Sequence, residues 1–253
     1  MKLSGSEITR QGVRRFESCL ALMVYVRQPK QQFRTLSGRT GKYRNFDITF
    51  PSTNNAGFPD VQGFWGRVPK SLVPYNGSSR QVLSPENAFH YYLSDYKFEV
   101  AWSDPARVLT RLMTTNFTLG PDFSAFTDWP LPVQIFNTYR NRWCCALWQA
   151  EGVRVIPNVG WGIPETYSWC FDGLPTRSVV AISTVGCVKY KHAVKPFLHG
   201  YDAMIERLQP TAVVCYGSTK VFSGREGTLS RESVPVFGYP CKWDTYKQEG
   251  VLS

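Results

Sequence analysis

Histidine is scarce in this 253-residue chain: there are three (His90, His192, His199), and none stands at zinc-ligand spacing from a cysteine. A structural zinc site of the Cys/His type is therefore not expected. Seven cysteines (19, 144, 145, 170, 187, 215, 241) include no C-x-x-C pair. Their odd number, the adjacent Cys144-Cys145 and the placement of Cys187 and Cys215 at the ends of apolar runs point to small buried thiols in a reducing, cytoplasmic setting. Long apolar runs are missing too. The longest, Leu20 to Val26 (LALMVYV), is too short to cross a bilayer and is followed by basic residues, so neither a membrane span nor a signal peptide is expected. Also absent are G-x-x-x-x-G-K-[ST], G-x-G-x-x-G, H-E-x-x-H and G-x-S-x-G. Their absence disfavours a P-loop NTPase, a dinucleotide enzyme of the usual kind, a zincin and a hydrolase elbow.

What is present is a sizeable apolar fraction, 43% with 15% aromatics, enough to build a core and to exclude a wholly disordered chain. Positive charge is concentrated at one end. Residues 1–50 hold ten Lys/Arg against three acids, whereas the remaining 203 residues hold 19 against 16. Such a basic arm (Arg10, Arg14, Arg15, Lys30, Arg34, Arg39, Lys42, Arg44) is the electrostatic footprint of contact with a nucleic-acid backbone. The plainer alternative is a solvated terminus whose charge serves solubility, and the sequence leaves both open.

Residues 51–87 are rich in Gly, Pro, Asn and Ser, with Phe58, Phe64, Trp65 and Leu72 interleaved, and are expected to pack on the main body. From residue 88 the pattern becomes regular. Strands are predicted at Phe89–Leu93, Asn116–Leu119, Val153–Val159, Ser178–Val185 and Thr211–Tyr216, alternating with helices. Asp104-Pro105 marks one helix start. Asp128 is read as the N-cap of a second helix whose apolar face is Val133, Phe136, Tyr139, Trp143, Leu147 and Ala150, closed by Gly152. A third runs through Val194, Phe197, Tyr201, Ile205 and Leu208 and stops before Pro210. The predicted fold is α/β, with a parallel sheet of at least five strands and crossover helices, doubly wound or a partial barrel. The core is expected over 88–217, followed by a turn-rich tail with one strand near Val234–Phe237.

In parallel α/β folds, ligands bind beyond the carboxyl ends of the strands. Those ends carry Asp95, Asp122, Asn158, Trp161, Ser183, Thr184 and Tyr216. Asp122, which follows a strand directly, and Asp95 are the candidate catalytic carboxylates, for acid–base work or for holding a divalent cation such as Mg. The alternative for Asp122 is bonding to loop amides or pairing with Arg140 or Arg142. Those two arginines are candidate phosphate-binding forks, or else surface charges beside a core face.

The ordered segments FHYYLSDYKFEVAWSDP, TLGPDFSAFTDWPLPVQIFNTYRNRW, VIPNVGW, CFDGLP, VVAISTVGC, FLHGYDAMIERLQP and VVCYG resemble the domain-of-unknown-function 4417 family of phages and bacteria, over about residues 88–217. Asn158 stands where threonine is common in that pattern. The resemblance implies an origin in a phage or mobile element and carries over no catalytic residues. Two functions follow as expectations. One is a nucleic-acid-associated protein, with phosphodiester chemistry at the rim. The other is a protein that binds or sequesters a nucleotide-like ligand there, with Arg140 or Arg142 on phosphate and Trp161 or Tyr216 on the base.

Overall fold

The computed structural model describes residues 44–77, 84–223 and 234–241. The chain divides after Ile48 into two units. Of the first, only the helical turn α1 (Arg44–Asp47) and Ile48 are described. The arm residues Arg10, Arg14, Arg15, Lys30, Arg34, Arg39 and Lys42 lie outside the described residues.

In the second unit seven strands are described: β1 (Leu72–Pro74), β2 (Ala88–His90), β3 (Phe117–Leu119), β4 (Val155–Ile156), β5 (Val179–Ser183), β6 (Ala212–Tyr216) and β7 (Val236–Tyr239). Between them lie the helices α2 (Val100–Ser103), α3 (Pro105–Leu112), α4 (Leu131–Ala150) and α5 (Lys191–Leu208). All strand pairs are parallel. They form a four-stranded sheet, β1-β2-β3-β4, and a three-stranded sheet, β5-β6-β7. The expectation of one sheet with at least five strands is corrected to two sheets, joined by the single bridge Asn158–Ala181. The physical cause lies at the end of β4. Pro157 has no amide to donate, so the contact is limited to Ala181 N–H on the Pro157 carbonyl and Val159 N–H on the Ala181 carbonyl, each 2.8 Å. Strand order is sequential within each sheet and shows no reversal of the doubly wound kind.

Strands β5 and β6 (VVAIS, AVVCY) are apolar and rich in β-branched residues because both of their faces are covered. Val179, Ala181, Ala212, Val214 and Tyr216 join Phe64, Ala88, Phe117, Leu119 and Ile156 in one cluster, so both sheets contribute to the same core. The alternate residues Val180, Ile182, Val213 and Cys215 meet Phe197, Met204 and Leu208 of α5. The tail strand is confirmed as β7, which pairs with β6. Phe58 and Phe64 are buried, and Val61 N–H donates to the Gly173 carbonyl at 2.8 Å. Trp65, by contrast, is exposed.

Helix α3 is capped as expected, the Asp104 side chain accepting from Arg107 N–H at 3.4 Å. Helix α4 differs from expectation. Its N-cap is Pro130, with no side-chain cap, so Asp128 does not have the predicted capping role. Its first turns are also inverted: Gln134, Asn137, Arg140 and Asn141 are buried, while Leu131, Val133, Ile135 and Phe136 are exposed. The inward polar groups serve the preceding loop. Gln134 Nε2 donates to the Trp129 carbonyl (2.8 Å), Asn137 Nδ2 to the Ser124 carbonyl (2.6 Å), and Asn141 Nδ2 to the Pro121 carbonyl.

Candidate functional site

Strand β3 ends in Gly120-Pro121-Asp122. A side chain at Gly120 would place its Cβ 2.8 Å from Cys145 Sγ on α4 and 3.0 Å from the Asn158 backbone nitrogen. Glycine is thus what lets the β3 exit, α4 and the β4 exit come together. Across that contact Asn158 Nδ2 donates to Asp122 Oδ1 at 2.8 Å, and Asn158 Oδ1 accepts from the Tyr92 hydroxyl at 2.7 Å. Asn158 is only 2% exposed, so its amide is fixed between a hydroxyl and a carboxylate.

Burial pushes the Asp122 carboxyl up to about 7. The hydrogen bond from Asn158 opposes that rise, and the Asp95 carboxylate nearby adds to it. Tyr92 is raised well above the usual phenol range by burial and, next, by Asp122. Burial and then Asp122 push the Cys187 thiol up to about 11. By its accessible surface, however, Cys187 is an exposed residue. A carboxyl that titrates near neutrality beside an oriented amide is the equipment of a general acid–base group.

The other strand-end candidates fall into three positions. Tyr216 stacks on Tyr92 (5.2 Å between centroids, 15° between planes) and on His90 (4.3 Å), which brings the β6 end to the β2 end. Ser183 and Thr184 reach the same carbonyl, that of Tyr216, at 3.3 and 3.4 Å, and Thr184 also donates to the Ser218 carbonyl at 3.1 Å. Their hydroxyls therefore knit β5 to β6. Asp95 accepts from Ser124 twice, from N–H at 3.1 Å and from Oγ at 2.8 Å. It anchors the Asp122 loop while sending its field toward Asp122.

Arg140 and Arg142 are both buried. Arg140 forms a short ion pair with Glu99, donates to Asn137 Oδ1 at 3.2 Å and lies 3.8 Å over the Phe123 ring. Arg142 spends its guanidinium on the Asp172 and Cys170 carbonyls (3.1 and 2.7 Å) and on Asn141 Oδ1. Burial lowers it to about 10. The reading of these residues as surface charges is corrected, and both forks already have protein partners. Trp161 packs on Phe197 of α5 at 5.2 Å, away from the Asp122–Asn158 pair in its contacts.

Among the described residues no group of three His, Cys, Asp or Glu could hold a metal ion. With Asp95 tied to Ser124, the donor set does not fit a divalent cation such as Mg. A cleft of about 940 Å³, lined in part by Asp60, Trp169, Asp172 and Arg207, flanks the residues leading into β5 and β6. Its Arg207 and Asp172 are paired with each other at 3.2 Å.

Sequence reasoning misses Tyr92, because the apolar run predicts a strand through Leu93 whereas β2 stops at His90. Ser124 is legible as a strand-end group and Asn137 as a neighbour of the helix arginines, but their loop-fixing role is not, because it depends on where the Asp122 loop folds. A second omission is the exposed, acid-free stretch Lys189-Tyr190-Lys191-His192 with Lys195, where the run of cations was legible.

No helix among the described residues is long and apolar enough to cross a membrane. No solved structure matches the chain. The Gene 1 protein of Mycobacterium phage L5 is 37% identical over 212 residues, covering 82% of this chain and 90% of that protein. The Gene 1 protein of Mycobacterium phage D29 is 33% identical over 217 residues, covering 84% and 78%. These relatives set the chain among phage proteins. The family described as Domain of unknown function (DUF4417) matches residues 50–229, beginning in the loop-rich segment and extending past Gly217, and the chain belongs to that family.

Proposed function

We propose that the strand-end rim binds a small polar, nucleotide-like ligand and that Asp122 exchanges a proton with it. The observation that carries this reading is the Asp122–Asn158 pair, a half-buried carboxyl pushed up to about 7 and held by a fixed amide. A group poised near the working pH is the best compromise between being in the right protonation state and having the driving force to transfer a proton. The two sheets, in this reading, act as a partial barrel whose carboxyl mouth is closed by Tyr92 and Tyr216. Arg140 and Arg142, already occupied, are not assigned to the ligand.

The test is a thermal-shift panel of nucleosides and nucleotides, followed by titration of any hit between pH 5 and 9. A ligand that binds only the folded state must raise the melting temperature. Its affinity should change with a midpoint near 7 that is lost in Asp122→Asn. No shift with any nucleotide, or an unchanged pH profile in the variant, overturns the reading.

A second reading is association with nucleic acid, favoured by the ten Lys/Arg in residues 1–50. Replacing Arg10, Arg14, Arg15, Lys30, Arg34, Arg39, Lys42 and Arg44 by glutamine in the full chain should weaken binding and flatten its salt dependence. Unchanged binding would remove the arm from that role.

A further inference from the structure

Beyond the rim, the chain between Asp172 and Asp202 contains no acidic residue, and its exposed residues include the turn after β5 and the start of α5. Lys189, Tyr190, Lys191, His192 and Lys195 are all exposed there, Tyr190 at 55%. No described carboxylate pairs with any of the three lysines. The Tyr190 and His192 rings lie parallel, 5° apart in plane and 5.6 Å between centroids, and Lys189 Nζ sits 5.3 Å from the Tyr190 centroid. Two lysines flank the tyrosine in sequence, and Lys195 follows Lys191 one helical turn on, on the same side.

We infer that this surface binds single-stranded nucleic acid, with an unpaired base stacked on Tyr190–His192 and adjacent phosphates held by Lys189, Lys191 and Lys195. The physical case has two parts. An exposed large aromatic ring among cations that have no described carboxylate partner gains little for the fold, whereas every nucleobase offers a π-face to it and every nucleotide a phosphate. A duplex keeps its bases stacked inside, so its phosphates suit the lysines but its bases cannot reach the rings. Single strands satisfy both sets of groups. The inference extends the nucleic-acid reading by naming the kind of strand and moving the contact from the arm to α5. It does not require the acid–base reading.

The experiment uses the full-length chain and a fluorescein-labelled twelve-residue oligothymidylate, followed by anisotropy from low to moderate salt, with an unlabelled duplex as competitor. Tyr190→Ala should weaken the single strand at least fivefold, in line with the usual worth of one stacked base. Tyr190→Phe should bind as the wild type, since the ring face and not the hydroxyl makes the contact. The triple variant Lys189→Gln, Lys191→Gln, Lys195→Gln should lower the salt slope by about 2, at roughly 0.7 for each phosphate on a single strand. The arm-glutamine variant should still respond to Tyr190→Ala, which separates this surface from the arm. All five side chains are exposed, so circular dichroism should confirm an unchanged fold. Wild-type affinity in both Tyr190→Ala and the triple variant overturns the inference. So does a duplex that competes as well as the single strand, or binding that depends on the arm alone.

Discussion

Asn158 faces Asp122 with its donor end, Nδ2 to Oδ1 at 2.8 Å, because its acceptor end is taken by the Tyr92 hydroxyl. The direction of that amide matters for acid–base behaviour: donation to the ionised carboxylate holds its proton affinity below what burial alone would give. Asn158→Ala should therefore raise the Asp122 midpoint above its wild-type value of about 7, as read by carbon-13 titration of the carboxyl. It should also cost about 1–3 kcal/mol in denaturant unfolding, since Tyr92 and Asp122 each lose a partner in a closed space. A midpoint that stays put or falls would contradict the arrangement.

The raised Asp122 carboxyl also predicts a pH dependence of stability. Folded Asp122 holds its proton up to about 7, while the unfolded residue releases it near pH 4. Its contribution is fully present below about pH 4 and is lost as pH rises through 7. Asp122→Asn keeps an acceptor for Asn158 but cannot ionise. The variant should be more stable than the wild type at pH 8 by roughly 1–3 kcal/mol, a figure discounted because Asp122 is only half-buried. The advantage should vanish near pH 4. Urea midpoints at pH 4, 6 and 8 check both the sign and the window.

How far the site was legible depends on which groups satisfy which. Strands β5 and β6 were readable because continuous runs of Val, Ile and Ala have no solvent face to offer. The start of α3 was readable because Asp104-Pro105 carries its own cap. Asp122 and Asn158 could be named as strand ends, but not as partners, since their meeting depends on the space left at Gly120 between β3, β4 and α4. The start of α4 misled for a related reason. Val133 and Phe136 have the spacing of a core face, yet the inward positions went to Gln134, Asn137 and Asn141, which meet carbonyls of a loop folded beneath the helix. Apolar periodicity reports which residues avoid water and is blind to buried carbonyls that need donors. The separation into two sheets hung on Pro157, whose missing amide leaves one bridge where a ladder was expected.

Arg140 offers a test of structural against ligand duty. Its guanidinium is held by Glu99, Asn137 and the face of Phe123. Arg140→Met should cost about 3 kcal/mol, the lower end for a broken buried pair because Glu99 is half-exposed. Arg140→Lys should recover little, lacking the flat fork that both stacks and bonds. Combined with Glu99→Gln, the loss should be less than the sum of the two single losses. Thermal melts of the four variants decide it; a fully stable Arg140→Met returns this arginine to the pool of ligand-binding candidates.

Gly200 sits within α5, where alanine would ordinarily add about 1 kcal/mol of helix stability. Here its Cβ would stand 2.1 Å from Cδ1 and 2.2 Å from Nε1 of Trp161, whose ring also leans on Phe197. The indole cannot yield without leaving the helix face, so Gly200→Ala should destabilise by roughly 1–3 kcal/mol and shift the tryptophan emission. The cause can be isolated by shrinking the neighbour. In Trp161→Leu, Gly200→Ala should cost much less or even stabilise, because only the helix-propensity gain remains. If Gly200→Ala is equally harmful in both backgrounds, the close packing of Trp161 on α5 is not the reason that glycine is needed there.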